Sequence, residues 1–535
     1  MQIYVAQVKP MIGGLDFNFK IIKDHYREAL DRQCSICMFP ELVTTGYTPQ
    51  DLLLKPGFIR ELDGYVKDLT SIVGSTALLL PTPIQTQYGL ENGVIAIQNG
   101  EIIGQTGKKH IVNYGIFDEK RYFISGTPQI INVNGMRIGV PVCEDIWFDD
   151  VTKKLKAEGA ELFLVPNGSP FEKGKFDVRL NMVRARFNET KVPIIYCNQV
   201  LGQDGIIYDG RSFGYDGELK FVLKPFVEDV GVIRINDNTI VSGKRIDEYA
   251  DCDLAYGAMV LGLHDYVVRN NFDTVLLGLS GGIDSALVSA IATDSLGGDK
   301  VYTTMMPSCF TSKESIKDAE SVAKLLGTHH RVIDISPIVD AAKNIMPNMS
   351  DVAYENLQAR VRGVVLMTTS NSTGRMVLTT GNKSETATGY TTLYGDTCGA
   401  FNPIKDLYKT DVFKISKFRN SAIPKSIPVQ NPVFPVMPER ILIKPPSAEL
   451  KFNQKDSDSL PQYDVLDRIL YLYIECDLSV DEIVAQGFDS MIVNKVVHLV
   501  KSAEYKRRQS APGVRLSPRP FGRERDYPIT SGYKG

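Results

Sequence analysis

Short apolar runs alternate with longer amphipathic stretches along the whole chain. In the first half, runs of strand length bounded by turn residues cover 3–8, 35–39, 77–80, 94–97, 138–142, 162–165 and 194–196. In the second half, similar runs cover 274–279, 301–306 and 376–379. Strands that alternate with helices predict βαβ units in parallel or mixed sheets, and therefore an α/β fold.

A break in this alternation predicts two domains. A polar segment at 236–245 precedes a helical pattern over 254–269. We place the boundary near residue 245, so the predicted domains are 1–245 and 246–535.

Four later segments predict loops and a tail. Proline-rich stretches at 423–438 and 444–446 are typical of surface loops, and the polar segment 453–459 predicts a mobile loop. The tail 501–535 carries nine basic residues against three acidic ones. It is either a nucleic-acid patch or a contact for substrate phosphates, and the thin aromatic interleaving favours the second interpretation.

Composition narrows the class of protein. Hydrophobic residues make up 43% and charged residues 23% of the 535 positions, which excludes a fibrous or wholly disordered chain. The net charge of -3 argues against general binding to nucleic acid or membranes. We find no apolar run long enough to span a bilayer and no signal-peptide pattern. Eight sparse cysteines favour a reducing compartment, so we expect a cytoplasmic protein.

A glycine loop in the second half predicts a phosphate site. The segment 279–285, Leu-Ser-Gly-Gly-Ile-Asp-Ser, follows an apolar strand and precedes an apolar helix. Glycines let the backbone approach phosphate oxygens, and the helix start supplies N–H groups. Asp284 and Ser285 stand where a nucleoside-triphosphate loop has lysine, and Asp284 suits Mg²⁺ bridging phosphates. The alternative is a tight turn with glycines for packing alone.

A cysteine in the first half predicts a nucleophile. Cys143 ends an apolar strand, and a thiolate needs a base or a positive neighbour, which Glu41 and Lys108 could supply. His110 could orient Lys108 or only pack. The Cys34–Cys37 spacing also suits zinc or redox chemistry, but its apolar strand and the lack of a second pair favour core packing.

The first half resembles the nitrilase-type amidases in the order Glu41, Lys108, Cys143. The resemblance implies an αββα sandwich in which Glu41 takes the thiol proton, Lys108 stabilises the tetrahedral intermediate and Cys143 forms a thioester. Counting back from Asn113-Tyr114 selects Lys108 rather than Lys109, although Ile111-Val112 replaces the usual Leu-Pro. The segments 113–123 and 167–175 resemble the glutamine-dependent NAD synthetases. That resemblance implies glutamine contacts by Tyr114, Ser169 and Lys175.

The second half resembles the pyrophosphatase-type loop of ATP-dependent amide-forming enzymes. Within that group it is similar to the NAD synthetases at 354–362, 380–385, 395–410, 444–450 and 506–508. The resemblance implies a doubly wound parallel sheet. The implied ATP contacts are Gly278, Leu279, Ser280, Gly281, Gly282, Ile283, Asp284, Ser285, Thr380, Lys409 and Ser447. The implied deamido-NAD contacts are Asn356, Arg362, Glu385 and Lys506, and Asp284 and Glu385 are the implied ligands of Mg²⁺.

Taken together, the resemblance implies the last step of NAD synthesis. Glutamine would supply ammonia for the ATP- and Mg²⁺-dependent amidation of deamido-NAD, giving NAD, AMP, diphosphate and glutamate. It also implies a homo-oligomer built on a synthetase-domain dimer, with no nucleic-acid or membrane partner. Three alternatives stay open: an ammonia-only synthetase, another adenylating amidotransferase that forms GMP or asparagine, and a nucleotide-binding regulatory module.

Overall fold

A computed structural model describes residues 1–242 and 248–533, with the side chain of Ser242 left out. The chain divides into two compact units. The first unit comprises Met1–Leu201 and Tyr208–Glu248, and the second comprises Gly202–Ile207 and Tyr249–Gly535. The predicted boundary near residue 245 lies outside the described residues, so the exact border remains a prediction.

The first unit contains most of the strands. They are β1 (Gln2–Gln7), β2 (Ile36–Met38), β3 (Ala77–Gln85), β4 (Leu90–Gln98), β5 (Glu101–Gly107), β6 (Ile130–Val133), β7 (Met136–Gly139), β8 (Leu162–Asn167), β9 (Ile194–Asn198), β10 (Val200–Gln203), β11 (Ile206–Asp209), β12 (Phe213–Asp216), β13 (Glu218–Val222), β14 (Asp229–Asn236) and β15 (Thr239–Ser242). Its helices are α1 (Leu15–Asp31), α2 (Pro56–Ile72), α3 (Asp149–Ala157) and α4 (Lys175–Thr190). The apolar runs predicted as strands in this half are confirmed. The polar segment at 236–245 contributes part of the β14–β15 hairpin.

Two large sheets form the centre of this unit. One has the order β15-β14-β1-β2-β3-β4-β5, and the other has the order β13-β12-β9-β8-β7-β6. The pairs β1–β2 and β2–β3 are parallel in the first sheet. The pairs β7–β8 and β8–β9 are parallel in the second. Each sheet therefore has a parallel centre and antiparallel edges.

Alternation along the strands builds the layers. Ile3 and Val5 on β1 join a core that also contains Leu164 of β8, so this core lies between the sheets. Tyr4 and Ala6, on the other face of β1, pack with apolar residues of α1 and α2. The outer face of the second sheet packs in the same way against α3 and α4. This order of layers is the αββα sandwich that the resemblance implied.

The second unit is mainly helical around one small sheet. Its strands are β16 (Val275–Gly278), β17 (Val301–Met305), β18 (His329–Val332) and β19 (Met376–Leu378). Its helices are α5 (Asp251–Arg269), α6 (Ile283–Leu296), α7 (Lys313–Leu326), α8 (Ser336–Ile345), α9 (Asp351–Thr373), α10 (Lys383–Thr388), α11 (Lys409–Ser421), α12 (Glu439–Ile443), α13 (Tyr463–Leu470), α14 (Val480–Val484), α15 (Ser490–Ser502) and α16 (Glu504–Arg507).

The four strands are parallel in the order β18-β17-β16-β19. Leu276 of β16 faces α8 and α9, and alternation turns Val275 and Leu277 to the opposite face, where α6 contacts the sheet. This is the expected doubly wound arrangement. Strand order reverses at β16, and ligands bind beyond the carboxyl ends of the strands at such a reversal. In the described part of the chain, no helix has the length and apolarity to cross a membrane.

Two candidate catalytic sites

A buried lysine between two glutamates forms the centre of the first site. Lys108 directly follows β5, and its Nζ lies 2.8 Å from Oε1 of Glu41. The same Nζ lies 3.0 and 2.9 Å from the two carboxylate oxygens of Glu119. Asn92 of β4 donates to Glu41 Oε1 at 2.7 Å. Sequence reasoning predicted Glu41 and Lys108 here but missed Glu119, although Glu119 stands inside the segment 113–123 that carried the resemblance.

The charges of this group are set by burial and by each other. Burial raises the pKa of Glu41, and Glu119 adds to the rise, while Lys108 and the Cys143 thiol oppose it. Burial opposes the charge on Lys108, but the two glutamates outweigh it and hold the Lys108 pKa well above its usual value. Burial also raises the pKa of Cys143, and Glu41 adds to this rise. Cys143 therefore rests as a thiol beside a carboxylate that can accept its proton.

Asp145 fixes the backbone next to Cys143. Cys143 has a left-handed backbone with φ of 47° and begins a short 3-10 helix that ends at Trp147. Oδ1 of Asp145 accepts hydrogen bonds from the backbone N–H groups of Lys109 at 3.0 Å and His110 at 2.8 Å. Its Oδ2 accepts from Val142 N–H at 3.2 Å. One carboxylate thus joins the segment that follows Lys108 to the residue that precedes Cys143.

The three predicted glutamine contacts have polar partners in this unit. The Tyr114 hydroxyl donates to both oxygens of Glu144 at 3.0 and 3.1 Å. Ser169 Oγ accepts from Nε of Arg179 at 2.9 Å. Lys175 Nζ lies 2.9 Å from Glu172. Glu144, next to Cys143 in sequence and largely buried, was not among the predicted contacts.

Contacts in the structure bear on two secondary interpretations. His110 Nε2 lies 2.9 Å from Asp150, and its ring stacks on Phe148 with centroids 4.0 Å apart. These ring contacts favour a packing role, and the alternative in which His110 orients Lys108 stays a prediction. Cys34 and Cys37 are buried in the apolar core beside α1, as the core-packing interpretation expected.

The second site is a cavity at the carboxyl ends of three parallel strands. Its lining includes residues that directly follow β16, β17 and β19, and it contains all the positions predicted to contact ATP: Gly278, Leu279, Ser280, Gly281, Gly282, Ile283, Asp284, Ser285, Thr380, Lys409 and Ser447. Gly281 has φ of 77°, and a Cβ there would lie 2.2 Å from the carbonyl oxygen of Ser315. Glycine is therefore required for the loop, and the interpretation as a packing turn alone does not explain a loop that lines a cavity.

A second lysine between two carboxylates lies in this cavity. Lys409 Nζ is 2.5 Å from Oδ2 of Asp284 and 3.4 Å from Oε1 of Glu385. Burial raises the pKa of Glu385 to about 8, although Lys409 opposes the rise. Burial likewise opposes the charge on Lys409, but the two carboxylates outweigh it and raise its pKa.

The same carboxylates are suited to Mg²⁺. Both reach one cation already, since both contact the Lys409 ammonium. Within residues 1–242 and 248–533, no group of three or more His, Cys, Asp or Glu side chains could hold a metal by itself. Mg²⁺ commonly takes one or two carboxylates and completes its shell with substrate phosphates and water. The donor set here therefore fits Mg²⁺ that arrives with a nucleotide.

The predicted deamido-NAD contacts divide into two groups. Arg362 and Glu385 line the cavity. The lining in the described part of the chain does not include Asn356 or Lys506. Asn356 Oδ1 accepts from the Thr392 hydroxyl at 2.7 Å. Lys506 Nζ donates to two backbone carbonyls at residues 389 and 391, at 2.7 and 2.8 Å. In this conformation its charge is directed to the backbone.

Sequence reasoning also missed part of the cavity wall. The segment 453–459 was predicted to be a mobile loop, but Asp456 within it is buried, lines the cavity and accepts from the Tyr463 hydroxyl at 2.8 Å. Pro445 and Pro446, predicted to lie in a surface loop, also line the cavity. A polar composition indicated a loop here but could not show that the loop folds over a site.

Comparison with known proteins shows which families the two parts of the chain match. Residues 5–245 match the carbon-nitrogen hydrolase family, and residues 255–510 match the NAD synthase family. The glutamine-dependent NAD(+) synthetase of Acinetobacter baylyi is 42% identical over 545 residues, covering 100% of this chain and 99% of that protein. The enzyme of the same name from Rhodobacter capsulatus is 41% identical over 546 residues, with the same coverage.

Solved structures give the same result. The structure of glutamine-dependent NAD+ synthetase from Acinetobacter baumannii in complex with adenosine diphosphate has a TM-score of 0.79 and 38% identity, covering 99% of this chain and 98% of that chain. The structure from Cytophaga hutchinsonii, with a TM-score of 0.82 and 21% identity over the same shares, supports the fold alone. Because relatives of this identity match it from end to end, the chain belongs to the family of glutamine-dependent NAD(+) synthetases.

Proposed function

We propose that the chain makes NAD from deamido-NAD by two half-reactions. The first unit hydrolyses glutamine and releases ammonia, and the second unit uses ATP to activate the carboxylate of deamido-NAD for amidation by that ammonia. The other products are AMP, pyrophosphate and glutamate. The observation that carries this proposal is a buried lysine held between two carboxylates in each unit, beside a cysteine thiol in one and a glycine loop in the other.

Glutamine hydrolysis begins with a proton transfer from Cys143 to Glu41. The thiolate attacks the carboxamide carbon, and the Lys108 ammonium stabilises the oxyanion that forms. When the carbon–nitrogen bond breaks, Glu41 returns the proton to the leaving nitrogen, so ammonia departs and a thioester remains. Glu41 then takes a proton from water, whose attack releases glutamate and regenerates the thiol. Glu119, on the other side of Lys108, keeps that lysine charged and oriented.

The amino-acid end of glutamine needs partners of both signs. We assign contacts to Tyr114, Ser169 and Lys175, and we add Glu144, a largely buried carboxylate that suits the substrate ammonium. Lys175 suits the substrate carboxylate. Arg179 fixes the Ser169 hydroxyl by the hydrogen bond between Nε and Oγ.

Amide formation in the second unit brings together two negatively charged substrates, ATP and deamido-NAD, whose charge must be neutralised. A carboxylate oxygen of deamido-NAD attacks the α-phosphorus of ATP and pyrophosphate leaves; ammonia then attacks the acyl carbon, AMP leaves, and a proton passes to solvent. The loop 278–285, Thr380 and Ser447 line the cavity in which ATP would bind, and Lys409 would neutralise its phosphates. Arg362, a partly buried guanidinium that donates from Nε to the carbonyl of Met306, suits an anionic group of deamido-NAD. Asn356 and Lys506 remain predictions as further contacts.

Mg²⁺ fits this site through Asp284 and Glu385. When bound, it would neutralise phosphate charge and make the α-phosphorus easier to attack. The chain's own part is to hold the two carboxylates on one side of the nucleotide. Asp284 lies in the first turn of α6, after the glycine loop, and Asn382 donates to its Oδ1 at 3.0 Å, which fixes the orientation of the carboxylate.

Formation of NAD from deamido-NAD and Mg-ATP, with glutamine and with ammonium chloride in parallel, tests the proposal. We expect NAD and AMP in equal amounts with either nitrogen source, and glutamate only with glutamine. NAD formation with ammonium alone would leave the synthetase and remove the glutaminase role. ATP hydrolysis without deamido-NAD, or no NAD from either source, would contradict the proposal.

Two further expectations follow from the family and remain predictions. We propose a homo-oligomer built on a dimer of the second unit, which light scattering of the purified protein at two concentrations would test. We also propose a cytoplasmic location, which fractionation of the source cells would test.

A further inference from the structure

The first turn of α10 connects both walls of the ATP cavity. Asn382 donates to Oδ1 of Asp284 at 3.0 Å. Ser384 Oγ accepts from the backbone N–H of Lys409 at 2.9 Å. Glu385 faces the Lys409 ammonium at 3.4 Å. A shift of this one turn would therefore move the acid–lysine group that receives the phosphates.

Lys383 belongs to this turn but does not line the described cavity. Its side chain is completely buried, and its Nζ lies 2.7 Å from Oδ1 of Asp406. The same ammonium donates to Ser517 Oγ at 2.8 Å and to the Arg519 carbonyl at 3.1 Å, and it pairs with Glu475. Two of these partners belong to the C-terminal part of the chain.

Asp406 fastens the C-terminal segment to the same place. Its Oδ2 accepts hydrogen bonds from the backbone N–H groups of Leu516 at 2.8 Å and Ser517 at 2.6 Å. Its Oδ1 accepts from Ser517 Oγ at 2.9 Å. Burial opposes the charge on Asp406, but Lys383 and these donors outweigh it and hold the pKa of Asp406 below its usual value. Asp406 is thus a charged link between α10 and the tail, three positions before Lys409.

The tail follows the 402–406 loop over several residues. The Asn402 N–H donates to the Pro512 carbonyl at 2.8 Å, and Lys405 Nζ donates to the Ala511 carbonyl at 2.6 Å. Asn402 also donates from Nδ2 to the carbonyl of Gly381, which lines the cavity. The segment 511–519 therefore contacts the loop that leads to Lys409 and also Lys383, at the start of the helix that carries Glu385.

Several arginines of the tail pair with acidic residues of this unit. Arg507 lies 2.7 Å from Glu504, and Arg515 lies 3.0 Å from Glu524. Arg519 pairs with Asp477. Internal contacts therefore account for part of the tail's basic excess.

We propose that Asp406 and the C-terminal segment 511–519 position the ATP site: they fix Lys383, and through the first turn of α10 they hold Glu385 and Lys409 where Mg-ATP is received. This inference rests on the proposed function of the second unit. Groups that orient ligand-binding side chains in this way typically contribute about 10–100-fold in affinity or activity when they are replaced. Asp406 contacts neither substrate, so its effect must act through the turn.

A matched pair of variants tests this role. Asp253 and Asp406 are both 4% exposed. Each carboxylate accepts hydrogen bonds from the backbone N–H groups of two successive residues and from the hydroxyl of the second residue. For Asp253, these two residues are Lys425 and Ser426. Asp253 does not belong to the described cavity lining. Asp406→Asn and Asp253→Asn therefore remove similar bonds, but only the first change loosens Lys383.

The measurement is ammonium-dependent NAD formation with varied Mg-ATP, after the folded fraction of each variant has been determined by thermal unfolding. For Asp406→Asn we expect kcat/KM for Mg-ATP to fall by about 10–100-fold. The KM for ammonium should change little, and more Mg²⁺ should be needed for half-maximal rate. Asp253→Asn should retain wild-type kcat/KM per folded molecule. Equal losses in the two variants, or an unchanged kcat/KM in Asp406→Asn, would overturn the proposal.

Ser517→Ala and Ser426→Ala repeat the comparison with a smaller change. Each removes one hydroxyl that donates to the corresponding aspartate, and neither leaves a buried charge unpaired. We expect only Ser517→Ala to raise the KM for Mg-ATP, and equal KM values in the two variants would contradict the role of the tail. A wild-type protein that makes no NAD from ammonium would instead contradict the proposed function itself.

Discussion

Asp145→Asn separates positioning from chemistry in the first site. The wild-type carboxylate is completely buried and accepts on one side from the backbone N–H groups of Lys109 and His110, and on the other from Val142. An asparagine has one acceptor oxygen, so it can serve only one of these sides. Its NH₂ group must face an N–H donor on the other side, which separates the Lys108 segment from the Cys143 turn.

The size of this effect follows from the bonds involved. A hydrogen bond to a charged group contributes about 1.5–3 kcal/mol, and its loss corresponds to about 10–100-fold in rate if it acts fully on the aligned state. Burial raises the pKa of Asp145 from 3.8 to about 6. That rise means that keeping the carboxylate charged costs the fold about 3 kcal/mol, which a neutral asparagine avoids. We therefore expect a folded variant whose defect is in alignment.

The assay compares two nitrogen sources on the same protein. With glutamine, glutamate release and NAD formation should both fall by about 10–100-fold in kcat/KM, while ammonium-dependent NAD formation should stay at the wild-type rate. Asp150→Asn is the control, because Asp150 contacts Lys109 and His110 through their exposed side chains at 2.7 and 2.9 Å. A fully active Asp145→Asn, or equal loss with both nitrogen sources, would refute the reasoning.

Three further predictions use the same assays. Cys143→Ala should abolish glutamate release and leave ammonium-dependent synthesis intact; loss of both in a folded variant would contradict the division of labour. Gly281→Ala should raise the KM for Mg-ATP with either nitrogen source by about tenfold or more, because a left-handed residue other than glycine costs about 1–2 kcal/mol and the new Cβ meets the Ser315 carbonyl at 2.2 Å. Lowering the pH through about 6 should reduce glutamate release as Asp145 becomes protonated. The pKa of Asp145 in the folded protein lies above its ordinary value of 3.8. The contribution of protonated Asp145 to folding stability is therefore complete below pH 3.8 and is lost as the pH rises through about 6. The difference in Tm between wild type and Asp145→Asn across that pH range measures this contribution.

Local pattern was sufficient to predict the strands and the positions of Cys143 and Glu41 after strands. The runs that form β1 and β8 are short and almost wholly apolar, as expected for strands that are buried on both faces. They could therefore be predicted without knowing which strands pair with them. Cys143 and Glu41 follow strands in the parallel centres of the two sheets, and carboxyl ends of parallel strands are where polar side chains collect. The edges of the sheets, including β15, lack this signal because they are short and partly polar.

Interactions between distant positions were the part that pattern could not provide. Nothing near Lys108 indicates that it is shared by two glutamates, and nothing near Asp145 indicates that it caps a segment 35 positions earlier. Pattern also does not show the internal contacts of Lys506, whose contact with deamido-NAD stays a prediction. Its ammonium bonds to carbonyls that follow α10, because the left-handed Gly389 at the end of that helix leaves such acceptors open.

Within the described residues, three buried lysines share one arrangement, and the three groups differ in the neighbour that contacts the carboxylates. Lys108, Lys409 and Lys383 each lie between two carboxylates, so with both acids ionised each group would carry one more negative than positive charge. A buried excess charge is costly and must be met by a cation, a proton or hydrogen-bond donors. At Lys383 the tail's backbone N–H groups meet it, and the group is structural. At Lys108 the neighbour is the Cys143 thiol, so in the proposed reaction Glu41 accepts the thiol proton and leaves a thiolate nucleophile. At Lys409 the neighbour is a glycine loop, so the excess suits a divalent cation brought with phosphate. The neighbouring group therefore decides whether a lysine between two carboxylates stabilises the fold, takes part in acid–base chemistry or suits a metal ion.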